Sequence, residues 1–151
     1  MPMVVVNLLK YFHLLTVMLA FGGAITQMVA LAKSRDPNEA TAAANEQMNL
    51  TIFRAVLFPG LMTALLLGVI LAFVTGRFSE PWIHAKLTLV LIWVVLAHMQ
   101  LRGAKRMIAL RQAGDHPTLE KTKGVQLNLA RGIVVLVLLI VYLAVFQLDA
   151  F

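Results

Sequence analysis

The chain has 151 residues, of which 60% are hydrophobic and 13% charged, with a net charge of +6 and no cysteine. A water-soluble domain of this length does not need so much apolar surface, and the missing thiols exclude disulfides, thiolate metal sites, iron–sulfur clusters and cysteine catalysis. The bases flank hydrophobic runs, where they orient helices and meet anionic lipid, so the positive charge does not indicate nucleic acid.

The first predicted span runs from Val4 to Ala32. It has no basic leader, and its apolar run is too long for a signal peptide, so it is expected to remain in the mature protein. It exceeds the roughly 20 residues a bilayer requires and must tilt or project. Asn7, Lys10, His13, Thr16, Ala20, Gly23 and Gln27 recur three or four residues apart. They share one helical face, which is expected to point into a bundle rather than at lipid. His13 stands out, because an ionisable group that deep in a hydrophobic helix suggests a functional site. Ordinary interhelical packing and hydrogen bonding explains the stripe equally well.

Asp36-Pro37 then signals a turn, and the alanine-rich stretch after it predicts a short surface helix. The second span, Leu50 to Val74, carries Arg54, Phe58, Leu61, Leu65, Gly68 and Ala72 on a mostly apolar face. Pro59 lacks the amide that would serve the Ala55 carbonyl, which predicts a kink. Arg54 reads as a base snorkelling to the interface. A short loop leads to Pro81, a suitable first helical residue for the third span, Trp82 to Leu101. That span carries His84, Lys86, Trp93 and His98; His84 and Lys86 are two apart and cannot share a face. The polar stretch Arg102 to Val125 is partly a helical extension, broken at Gly114-Asp115-His116-Pro117, before the fourth span, Leu127 to Leu148.

Short connections make consecutive helices antiparallel neighbours. The predicted fold is therefore an all-α integral membrane protein: a single domain, residues 1–151, forming an up-down four-helix transmembrane bundle with both termini on the same side. Lys33, Arg35, Arg102, Lys105, Arg106, Arg111, Lys121 and Lys123 gather at one end. The positive-inside rule then places both long loops in the cytoplasm and the termini outside.

All seven acids lie outside the spans or at their ends, whereas Lys10, Arg54, Lys86 and Arg131 lie within or at the edge of them. Glu80 is within reach of Lys86, and Glu46 of Arg54. The remaining cations must snorkel to headgroups or meet an anionic ligand such as a tetrapyrrole carboxylate or an anionic lipid. A haem takes His as its usual axial ligand, with Met as a second option. By helical rise His13 lies about 13 Å and His98 about 24 Å below the outer ends of their helices, an offset of roughly 10 Å that argues against a bis-histidine pair. His13 is thus the expected metal ligand, with Met62 or Met18 as candidate partners. The 8 Met and 4 His would also suit a copper-handling protein.

Leu9-Lys10-Tyr11-Phe12-His13, then Arg54 followed by Pro59-Gly60-Leu61-Met62-Thr63 and Gly68, then Trp82-Ile83-His84-Ala85-Lys86-Leu87 with His98 further along, together resemble the HemJ family. Copper-related CopD-like membrane proteins share the early Lys-x-x-His pattern. The resemblance implies a bacterial inner-membrane protein that carries haem b and oxidises protoporphyrinogen IX to protoporphyrin IX. Electrons would pass to a quinone or another membrane carrier. It implies His13 as the haem-linked histidine and Lys86, Arg54 and His98 as catalytic-site residues; Lys10, by its charge, and Met62, by its depth, are the further residues expected beside the cofactor. A homo-oligomer and a non-catalytic haem-binding or structural subunit both stay open. One departure concerns Phe21-Gly22-Gly23-Ala24-Ile25-Thr26-Gln27, where HemJ proteins usually carry an aromatic-rich stretch with a proline and an arginine.

Overall fold

The computed structural model describes residues 2–146. These form α1 (Met3–Lys33), α2 (Glu39–Ile52), a π-helical turn (Phe53–Leu57), α3 (Phe58–Val74), α4 (Pro81–Gln112) and α5 (His116–Phe146). No strand occurs among the described residues. Since α2, the π turn and α3 run on as one rod, Glu39–Val74, there are four rods of 31, 36, 32 and 31 residues, each long and apolar enough to cross a membrane. At about 1.5 Å per residue three of them outrun the roughly 30 Å hydrocarbon core by about 15–20 Å and the 36-residue rod by about 24 Å. Residues 147 and 148, the end of the fourth expected span, lie outside the described residues.

Local chemistry sets the rod ends. Asn38 caps α2 by accepting the Thr41 amide at 3.1 Å, and Asp36 accepts the Asn38 amide at 2.8 Å. Asp36-Pro37 is therefore the turn that the sequence predicts. α3 and α4 close alike: Gly76 (φ 69°) and Gly114 (φ 72°) adopt the left-handed conformation that glycine tolerates. Each lets the following amide reach back five residues, Arg77 to the Ala72 carbonyl and Asp115 to that of Leu110. Asp115 then accepts the Thr118 amide at 3.2 Å and starts α5. The polar stretch expected between the third and fourth spans is thus almost wholly helical, with three residues between α4 and α5.

Ahead of Pro59 the rod widens into the π turn, with the Phe58 amide donating to the Phe53 carbonyl. A wider turn is where a helix absorbs a locally missing hydrogen bond. The inner face here is centred on Phe53, Leu57, Gly60 and Leu61, all buried, so Arg54 is turned outward rather than sharing the buried stripe. The alanine-rich segment differs from its expectation too. It is not a surface helix, because Ala42, Asn45, Glu46 and Asn49 are buried against α1 and α4. Alanine keeps that face thin enough for the rod to lie close to its neighbours.

α1 packs mainly on α3, and α4 on α5, with α1 also touching α5 and α2 touching α4. The α1–α3 seam is tight: a Cβ on Gly60 would lie 3.1 Å from the Ala20 nitrogen, and one on Gly23 would lie 3.1 Å from the Leu57 Cβ. One apolar cluster is built on Phe53, Leu57, Leu61, Trp93, Ile133 and Val137, a second on Leu31, Met107, Leu119 and Leu127 towards the loop end. Large apolar side chains such as Leu14, Met18, Leu66, Val95, Val135 and Leu138 cover the outside, as a lipid-facing surface requires. The result is an all-helical, up-down, four-rod membrane bundle, with the N-terminus, the α3–α4 turn and the end of α5 at one end and the other two connections at the opposite end.

Candidate functional site

At the terminus end, α1, α3 and α4 bring three features together. His13 on α1 lies over Gly68 of α3: a Cβ on that glycine would sit 3.0 Å from the imidazole Cε1, so the absent side chain makes room for the ring. The ring faces the Ala64 carbonyl, and Lys86 of α4 is near enough for its charge to act on the imidazole. His13 Nδ1 is buried without a hydrogen-bond partner. Thr16, one turn on, uses its hydroxyl on the α1 backbone, 2.9 Å from the His13 carbonyl, and does not serve the ring.

Lys86 points inward for a reason legible in the spacing. Lys86, Trp93, Gln100 and Met107 recur every seven residues on α4, and the last three are buried. Lys86 itself is half-buried, while His84 is exposed against the Phe78 ring. The Glu80 carboxylate, expected within reach of Lys86, instead accepts the Trp82 indole N–H. Among the described residues Lys86 forms no ion pair.

The other sequence-predicted residues stand apart from this centre. Lys10 is exposed, one turn towards the N-terminus from His13. Asn7 is exposed as well, so the α1 stripe turns inward only from His13 onward; Ala20, Gly23 and Gln27 are fully enclosed. Met62 packs against the central apolar cluster, six residues along α3 from Gly68, about 9 Å of rise. Met18 is exposed on the outer face of α1. His98 lies beside Phe58 with ring centroids 5.7 Å apart, and its Nδ1 is 2.9 Å from the Val94 carbonyl. Phe58 and Gly68 are ten residues apart on α3, so His98 sits about 15 Å below His13, further than the spans alone suggested. Arg54 is deeper still and exposed. The structure brings His13 and Lys86 together, places Lys10 above them, and leaves Met62, Arg54 and His98 at other levels.

Sequence reasoning missed a second charged centre, at the loop end. Glu46 is 1% exposed and takes both oxygens to Arg111, 2.8 Å from Nε and 2.7 Å from Nη2. Lys123, 3% exposed, lies 3.4 Å from Glu46 and 2.7 Å from Glu120. Glu46 therefore pairs with α4 and α5, not with Arg54 as the sequence suggested. Its buried position was signalled by Ala42, Asn45, Asn49 and Phe53 at helical spacing around it, but its partners are 65 and 77 residues away in the chain. Between the two centres, buried amides of Gln27, Asn49 and Gln100 and the Trp93 indole hold polar atoms without a partner among the described residues.

Residues 7–148 match the model of a family described as predicted integral membrane protein (DUF2269). The chain belongs to that family. Comparison with curated proteins and with solved structures finds no match. Family membership and the four apolar rods agree that this is an integral membrane protein embedded in a lipid bilayer.

Proposed function

We propose that this DUF2269 protein is a haem b-binding membrane oxidoreductase of the HemJ kind, acting in the bacterial inner membrane with its loop end in the cytoplasm. The observation that carries the reading is the enclosed, unpaired His13 nitrogen beside Gly68, with Lys86 close by and no acid paired with it among the described residues. An unpartnered polar atom in a packed interior costs about 1–3 kcal/mol, and a cation inside a membrane about 2.5–3.5 kcal/mol, so a ligand that satisfies both offsets a real penalty.

The residues present fit a haem. His13 offers an imidazole nitrogen for the iron, and Ala64 and Gly68 keep the facing helix thin. Lys86, and Lys10 one turn outward, supply ammonium groups for propionates through charge-assisted hydrogen bonds. Bound there, the haem would supply one-electron redox chemistry to the oxidation of protoporphyrinogen IX to protoporphyrin IX, with a quinone or another membrane carrier as acceptor. The side chains hold and orient carboxylates, and the apolar rods keep water from the ring. His98 and Arg54 lie outside this centre and have no part in holding the cofactor.

The test is the absorption spectrum of the full chain purified in mild detergent. A Soret band that disappears in His13→Ala, weakens in Lys86→Met and survives in His98→Ala supports the reading. Protein expressed with ample haem that shows no such band overturns it. Haem without protoporphyrin formation from protoporphyrinogen leaves a haem-binding subunit and removes the oxidase.

A further inference from the structure

A groove between α4 and α5 at the loop end, well away from His13, carries its own chemistry. It encloses about 640 Å³ and is lined by Met99, Arg102, Gly103 and Arg106 from α4 and by Thr118, Lys121, Thr122, Val125 and Gln126 from α5. Three cations and two hydroxyl groups line it, and no carboxylate does. Arg102, Arg106 and Lys121 are exposed, and no ion pair ties up any of them among the described residues. Asp115 at the start of α5 interacts electrostatically with Arg106, and Glu120, the chain neighbour of Lys121, is paired with Lys123 at 2.7 Å.

The groove is graded along the bundle axis. Arg106 and Lys121 stand towards the loop end, whereas Met99 and Val125 stand one turn or more towards the middle, 51% and 58% exposed. Exposed Val95 continues the apolar wall along α4. Gly103 makes the floor: the Gln126 amide fills the place of its missing side chain, with Nε2 only 2.0 Å from where a Cβ would be. Helices that outrun the bilayer core bring this basic mouth to the headgroup level, where anionic lipid concentrates.

We infer that this groove is a binding site for the phosphate headgroup of an anionic phospholipid from the surrounding leaflet. Arg102, Arg106 and Lys121 hold the phosphate; the Thr118 and Thr122 hydroxyls donate to Asp115 and to the Thr118 carbonyl, and line the wall without a proton to spare. An acyl chain runs inward over Met99 and Val125. Charge complementarity selects the occupant. Three bases without a lining acid favour an anionic headgroup over a zwitterionic one, and the apolar floor beyond them favours an amphiphile over free phosphate.

Native mass spectrometry of the full chain, released from detergent, tests this directly. Phosphatidylglycerol, phosphatidylcholine and inorganic phosphate are titrated in parallel. Each base near such a site contributes about 1 kcal/mol, so Arg102→Gln with Lys121→Gln is expected to weaken phosphatidylglycerol binding roughly thirtyfold. Lys33→Gln with Lys105→Gln removes the same charge from the same end, outside the groove, and is expected to leave binding within about twofold. Equal loss in both double variants shows diffuse attraction and overturns the site. So does phosphatidylcholine binding as tightly as phosphatidylglycerol, or inorganic phosphate competing at equal concentration. A variant that fails to fold is replaced by Met99→Gln with Val125→Gln, which is expected to weaken the lipid and leave phosphate unaffected. Unchanged lipid binding there also counts against the inference.

Discussion

The two ends of the bundle treat buried charge in opposite ways. At the loop end Glu46 is enclosed by two cations, and Lys123 by two carboxylates, so each group lost from water regains charged partners. At the terminus end Lys86 and His13 stand close together, and among the described residues Lys86 has no acidic partner and an imidazole nitrogen is left unpaired. A closed ion network needs nothing further and fixes three helices relative to one another. An open one carries a penalty that an anionic partner relieves. The contrast separates a structural centre from a candidate binding centre, although both are made of the same residue types.

The largest effect is expected where the network is closed. Glu46→Leu removes the carboxylate that holds Arg111 and leaves buried Lys123 with Glu120 alone, and should cost about 3–5 kcal/mol in denaturant unfolding of the detergent-solubilised protein. Adding Lys123→Met should recover much of that loss, because the buried cation goes with its partner. If Glu46→Leu is neutral, the loop end is not the closed network described above.

Lys86→Met is the matching change at the other end. In ligand-free protein it should stabilise the bundle by up to about 2–3 kcal/mol, since it removes a membrane cation that has no acidic partner. With an anionic ligand bound, the same change should lower ligand retention instead. A destabilised ligand-free variant would place Lys86 in a paired role and erase the difference between the ends.

Packing gives a smaller effect. Gly23→Ala presses a methyl against the Leu57 backbone, 3.2 Å from its Cα, and should cost about 1–3 kcal/mol in thermal unfolding. Gly103→Ala meets only the far end of the Gln126 side chain, which can swing away. A cost below that of Gly23→Ala is expected. The reverse order would mean that α4–α5, not α1–α3, is the rigid seam.

The smallest effect concerns Asp115. Its hydrogen bonds from the Thr118 hydroxyl and amide hold its carboxyl below the usual range. A depressed pKa gives stability that is present above the ordinary carboxylate value and lost as pH falls through the folded one. Fraying of the first turn of α5 in acid, seen as faster amide exchange at Thr118, should be abolished as a pH effect in Asp115→Asn. No change in exchange between neutral and acid pH in the unaltered protein would remove Asp115 as a cap.

Much of this molecule follows from local chemistry. The apolar runs, Asp36-Pro37, Pro81 and Gly114 mark where rods begin and end, because helix length, caps and breakers act within a few residues. The stripe from His13 to Gln27 gave the inner face of α1, and the missing acids around Lys86 gave the reason to suspect an anionic partner. That His98 and His13 lie at different levels was also legible, since rise per residue is fixed, although the spans put the offset at roughly 10 Å and packing makes it about 15 Å. Other features were not. The apolar face that carries Arg54, Phe58 and Leu65 did not say by itself whether it met core or lipid, and packing centres the inner face one stripe away, on Phe53 and Leu57. The alanine-rich segment looked like a surface helix because its partner rods are distant in the chain.

By itself the sequence determined that the chain spans a membrane as four antiparallel helices, because burial of apolar length and satisfaction of backbone hydrogen bonds in lipid leave no other helical arrangement for such runs. Only the tertiary structure decided which charges meet. Glu46 with Arg111 and Lys123, His13 with Gly68 and Lys86, and the basic groove between α4 and α5 each depend on the rotation and level of rods far apart in sequence. Side-chain packing between helices sets those, not spacing within one of them.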